Sequence, residues 1–215
     1  FTLYPAMFTP VITYPAEDSD VWQDVLIKGG DGVSGATMQL YESQFQQKIG
    51  DALHLVVDNE WAIPLTGLKH GGHTIFAKQE RNGRPSDRSD HRSFNVVLAP
   101  PQISTPQEGG KQPRTWTLEG VGLAFAHVEI WCKGAAEPWL SSIPVPASGN
   151  WRQQVTQPVG TYIICARQLF TDDNKTHESA FTEYLTYDVV PAALFVETPV
   201  EDERVGRQLV VSGFG

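Results

Sequence analysis

The chain carries six histidines, two cysteines and several short acidic runs, and the spacing of these residues decides what chemistry they could do. Only two histidines stand close together, in Lys69-His70-Gly71-Gly72-His73. Such a pair offers two of the nitrogens zinc prefers, yet no cysteine or carboxylate follows at ligand spacing, so the segment reads as a turn and a strand start. The runs Glu17-Asp18-Ser19-Asp20, Asp58-Asn59-Glu60 and Asp172-Asp173-Asn174 present the hard oxygens that suit calcium. None has the spacing of a helix-loop-helix calcium site, and each reads as a solvated turn. Serines are numerous, but no Gly-x-Ser-x-Gly elbow occurs. Gly29-Gly30-Asp31-Gly32 lacks the helix and the Lys-Ser/Thr of a phosphate-cradling loop. Strand parity places Cys132 inward with Ile130 and Cys165 outward with Arg167, so a bridge between them requires a bulge. No catalytic, cofactor or metal residue is therefore assigned, and the chain is not expected to be an enzyme. The remaining functional potential lies in aromatic side chains. Tyr41 and Trp131 share an outward parity and are the candidate ligand contacts; Trp22, Trp116 and Trp139 have no firm core assignment.

Bulk properties narrow the partners. A formal charge of -9 and a pI near 5.1 supply no basic field for a phosphate backbone, which removes nucleic acid from consideration. No run approaches the roughly 20 apolar residues of a membrane span, so this stretch is not expected to insert into a bilayer. With 40% hydrophobic residues, 19 Gly and 15 Pro, the composition suits many short strands joined by turns.

What must position any site is a repeat. Ile12-Thr13-Tyr14-Pro15, Ile103-Ser104-Thr105-Pro106 and Val196-Glu197-Thr198-Pro199 recur with prolines 91 and 93 residues apart, and a glycine follows each proline by 14 positions: Gly29, Gly120 and Gly213. These glycines, in IKGGDG, LEGVG and VSGFG, read as turn residues needing positive φ, with one extra residue in the first copy. Ala36-Thr37-Met38-Gln39-Leu40-Tyr41 matches Ala126-His127-Val128-Glu129-Ile130-Trp131, with the apolar members facing inward. Trp61 matches Trp151 as a core piece. Ala77-Lys78-Gln79 matches Ala166-Arg167-Gln168. Each copy holds about seven short alternating runs, the signature of an antiparallel sandwich, and no helix is expected; residues 43–52 read as a loop or edge strand.

The expected organisation is the end of a preceding repeat over 1–9, including a strand at Phe1–Tyr4, complete repeats over 10–99 and 100–190, and the start of a third over 191–215 with at most two strands. The proline-marked junctions Ala99-Pro100-Pro101 and Val190-Pro191 stiffen the chain between repeats, which reads as a semi-rigid rod cut from a longer protein.

The Gly-x-Gly turn, the Gly-Ala-x-Val-x-Leu-Tyr-like strand, the later Trp and the Ala-(Lys/Arg)-Gln strand together resemble bacterial immunoglobulin-like repeats over residues 10 to about 190. The resemblance implies tandem immunoglobulin-like β-sandwiches with no cofactor, serving as a structural, spacer or adhesion module of a large bacterial cell-surface, secreted or toxin-associated protein. Extracellular or cell-surface placement and contact with other domains of the parent protein follow from it. The alternative is a carbohydrate- or receptor-binding module, or an accessory domain of a secreted hydrolase or toxin. One departure from the eukaryotic-type immunoglobulin core is plain: the first copy has no cysteine to pair across its sheets.

Overall fold

A computed structural model describes residues 7–192, 195–198, 204, 207–208 and 210–214, and the Phe1–Tyr4 strand expected from sequence lies outside them. Compact contacts divide the chain between Ala99 and Pro100. Among the described residues every regular element is a strand.

In the first unit the strands are β1 (Val11–Tyr14), β2 (Ser19–Val21), β3 (Val25–Gly32), β4 (Thr37–Glu42), β5 (Gln47–His54), β6 (Asn59–Leu65), β7 (Gly71–Arg81), β8 (Arg84–Pro85) and β9 (Arg92–Val96). They form one sheet ordered β1-β3-β6 and a second ordered β2-β9-β7-β4-β5, with β8 beside β7. In the second unit, β10 (Gln102–Thr105), β11 (Gly110–Gln112), β12 (Thr115–Val121), β13 (His127–Cys132), β14 (Leu140–Pro144), β15 (Asn150–Thr156), β16 (Gly160–Asp172), β17 (Lys175–Glu178) and β18 (Leu185–Val189) reproduce that order as β10-β12-β15 and β11-β18-β16-β13-β14, with β17 beside β16. The one parallel pairing recurs as well, β2 on β9 and β11 on β18. Residues 43–52 therefore end in an edge strand, β5.

Alternation along each strand builds a separate core. Ile27, Met38, Leu40, Ile63, Ile75 and Phe94 are buried in the first unit; Leu118, Val128, Ile130, Ile164 and Tyr187 are buried in the second. Each inward side chain contributes about 1.5–3 kcal/mol by leaving water, so each unit encloses the apolar surface it needs. Met7 packs against the first core, and the Phe8 carbonyl accepts a hydrogen bond from Gln79 Nε2 at 2.8 Å.

The repeated glycines are not turn residues, which corrects the sequence expectation. Gly29 and Gly120 lie inside β3 and β12, directly across from Trp61 and Trp151. A Cβ on Gly29 would sit 2.1 Å from the Trp61 ring and 2.2 Å from the Val11 carbonyl oxygen; on Gly120 it would sit 2.2 Å from the Trp151 ring and 2.0 Å from the Gln102 oxygen. Glycine is required because the indole rests on bare backbone, a demand of close approach. The first strand of each unit then shifts register in the same way, Ile12 against Gly29 and Tyr14 against Lys28, Ile103 against Gly120 and Thr105 against Glu119. β19 (Phe195–Thr198) and β20 (Ser212–Phe214) pair antiparallel with the same offset, Val196 against Gly213 and Thr198 against Ser212.

The extra residue of the first copy is also placed. Between Gly29 and Gly32 strand β3 bulges against β6, with Asp31 at φ 57. The bulge turns the Gly30 carbonyl toward Trp61, whose Nε1 donates to it at 2.9 Å. The second unit pairs without a bulge there, and Trp151 Nε1 has no hydrogen-bond partner.

Candidate functional site

The outward surface of the larger sheet carries both candidate contacts. Parity sends Gln39 and Tyr41 of β4 and Phe76 and Lys78 of β7 to this surface in the first unit; Glu129, Trp131, Cys165 and Arg167 occupy the same register positions in the second. Tyr41 and Trp131 are both half-buried there.

The segment after β8 or β17 is held to the same sheet by a device that sequence reading missed. Ser86 donates its N–H to the Gln79 carbonyl while its Oγ accepts the Gln79 N–H, and Ser89 does the same for Ala77. Ser179 with Gln168 and Thr182 with Ala166 repeat this arrangement. Each hydroxyl passes its own proton to the next carbonyl, those of Asp87, Asp90, Ala180 and Glu183. A hydroxyl thus stands in for the backbone group that an irregular strand cannot present. The signal was in the sequence: Ser86-x-x-Ser89 and Ser179-x-x-Thr182 share one spacing. Buried Gln79 and Gln168 explain the other repeated motif, since their Oε1 atoms accept from Val33 N and Leu123 N at 2.9 Å.

In the second unit this bracket delivers Phe181 and Tyr184, about half exposed at 47% and 55%, onto the sheet. Arg167 lies 5.3 Å over Trp131 and 5.4 Å over Phe181, and it bonds Glu129 at 2.7 Å and Glu178 at 2.6 Å. Trp131 Nε1 donates to the same Glu129 oxygen at 3.1 Å. The charge is therefore closed internally, and aromatic edges are what the patch presents.

In the first unit Tyr41 stacks on Phe76 at 5.2 Å with an interplanar angle of 9°. Lys78 sits 5.8 Å over Phe76. Beside them lies a depression of about 350 Å³ lined by Thr37, Gln39, Tyr41, Lys48, Lys78 and Glu80, among others. Gln39 Nε2 donates to the carbonyls of Leu40, Ile49 and Gly50, which fixes the amide. Neither Lys48 nor Lys78 has a carboxylate partner among the described residues.

The other candidates fall into structural positions. His73 Nε2 donates to the Lys69 carbonyl at 2.8 Å and its ring stacks on Phe94. Glu17 accepts from Arg92 and from Ser93 N, Asp58 accepts from Ser34 N at 2.7 Å, and Asp173 and Asn174 form the left-handed turn between β16 and β17. Trp116 is buried on Tyr187, whereas Trp22 is 62% exposed. Cys132 and Cys165 are unbonded on opposite sheet faces, and burial raises both thiols above their ordinary pKa. Cys165 is buried although it points outward, because the sheet's outer face is itself covered there.

Neither a described protein family nor a curated protein matches the chain. Solved structures do. The chicken interferon gamma receptor alpha chain aligns over 84% of this chain and 98% of its own at 9% identity, with a TM-score of 0.52. The fibronectin(III)-like modules of Clostridium thermocellum CbhA align over 92% and 100% at 14% identity, with a TM-score of 0.33. The polymeric Ig receptor ectodomain of a teleost fish aligns over 86% and 99% at 9% identity, with a TM-score of 0.41. The all-β sandwich is of the immunoglobulin-like and fibronectin III type.

Proposed function

We propose that the chain is a non-catalytic structural module, two tandem immunoglobulin-like repeats followed by the opening strands of a third, serving as spacer or adhesion scaffold in a large bacterial cell-surface or secreted protein. The observation that carries this reading is the duplicated skeleton. Nine strands recur in one order, the register shifts of the first strand and of β4 on β5 recur with them, and each unit has its own enclosed core. Such duplication extends a chain by adding self-contained units, each stabilised mostly by its own interactions. The first strand of each unit pairs with the third, so load along the chain is met early by backbone hydrogen bonds. No helix of the described residues is long and apolar enough to cross a membrane.

Pulling the intact chain from its ends tests the reading. Two unfolding events are expected, each releasing roughly 300 Å of contour for about 90 residues at ~3.4 Å apiece. A single event spanning both units would overturn the modular reading.

A further inference from the structure

We propose that the outward face of the first unit binds an acidic saccharide, a uronic acid unit within a glycan chain, in the depression between β5, β4 and β7. This goes beyond a spacer role and rests on different observations. Lys48 stands across from Tyr41 and Lys78 across from Gln39, so two ammonium groups flank the same pair of β4 residues. In a chain of net charge -9, neither lysine is neutralised by a carboxylate among the described residues. The matching arginine of the second unit is held by Glu129 and Glu178. Two positions differ: Gln39 offers an amide where Glu129 offers a carboxylate, and Pro85 stands where Glu178 does, so the cation of the first unit meets neither acid.

The remaining lining selects the ligand class. Thr37 hydroxyl, the Gln39 carbonyl oxygen, the Tyr41 hydroxyl and the Glu80 carboxylate mix donors with acceptors, as hydroxyl-rich rings require. Tyr41 has one ring face on Phe76, and its remaining surface lines the depression, giving a sugar ring an apolar edge to rest against. A volume of about 350 Å³ holds one or two pyranose units. An acidic peptide fits less well. The lining is polar where a peptide side chain would need an apolar pocket. The carboxylate of the sugar would lie between Lys48 and Lys78, with its hydroxyls toward Gln39, Thr37 and Glu80.

The experiment titrates the intact chain with trigalacturonate, neutral trigalactose and a triglutamate peptide, followed by amide chemical shifts and calorimetry. Trigalacturonate is expected to bind, to shift resonances of β4, β5 and β7, and to weaken with added salt. Lys48→Gln and Lys78→Gln are each expected to weaken it about tenfold, and Tyr41→Ala by a similar factor, with melting temperatures of the lysine variants unchanged as a check of folding. Trigalactose is expected to bind at least tenfold more weakly. The proposal is overturned by absence of trigalacturonate binding, by binding indifferent to both lysine substitutions, or by triglutamate binding equally well through the same lysines.

Discussion

The two units share a skeleton and differ on one surface. Where the backbone depends on a side chain, the units agree: Gly29 and Gly120 under the indoles, Gln79 and Gln168 pegging a neighbouring loop, and Ser86, Ser89, Ser179 and Thr182 completing the ladder. Where a side chain only faces outward, they diverge. Lys78 is open beside Gln39, while Arg167 is enclosed by two carboxylates and two rings. A duplicated sandwich can therefore change its exposed chemistry without touching the contacts that hold it. The Trp61 bulge is an intermediate case, since an inserted residue gives one indole N–H an acceptor that its counterpart lacks.

The largest test of the shared skeleton is Gly120→Ala. Its methyl would collide with backbone as well as with the Trp151 ring, so neither neighbour can yield cheaply. A loss of about 3 kcal/mol or more is expected, confined to residues 100–190. Hydrogen exchange read along the intact chain checks this: protection should fall in the second unit and hold in the first. Equal loss in both would mean the cores are not separate.

A medium effect separates the units by pH. Tyr187 stands where the first unit has Phe94, and burial pushes its hydroxyl from 10.0 up to about 12. Below pH 10 the phenol is neutral in folded and unfolded chains alike, and its full contribution is present. As pH climbs toward 12 the unfolded chain ionises first, so the second unit loses on the order of 2–3 kcal/mol. Alkaline denaturation should begin in the second unit, and Tyr187→Phe should narrow the difference, the rest coming from the raised thiols of Cys132 and Cys165.

The smallest effect concerns the hydroxyl bracket. Ser86→Ala strands the buried Gln79 N–H and should cost about 1–2 kcal/mol, with Ser179→Ala costing the same in its own unit. Urea midpoints of the two variants measure it. A clearly smaller loss for one would show that its segment finds another acceptor, and the bracket would then be a shared geometry without a shared energy.

Much of this fold was legible in the residues. The spacing of proline, glycine and tryptophan pointed to repeated units. The alternation in Ala36–Tyr41 and Ala126–Trp131 placed inward and outward faces correctly, because side-chain direction in a strand has a period of two and needs no knowledge of its neighbours. That same period put Tyr41 and Trp131 on the outer face. It could not assign Trp116 or Trp22, which stand next to strand ends where parity is easily lost.

Sequence alone thus determined the sandwich class and the residues that recur, since both follow from local periodicity and from spacing along one chain. Only the tertiary structure decided why they recur and what the outer face offers. The glycines proved to be seats for indoles lying 31 or 32 residues away, which no local turn rule could report. Whether Lys78 or Arg167 is neutralised depends on which residues lie beside it on the neighbouring strands, and that neighbourhood is set by register, a quantity that exists only once the sheet has formed.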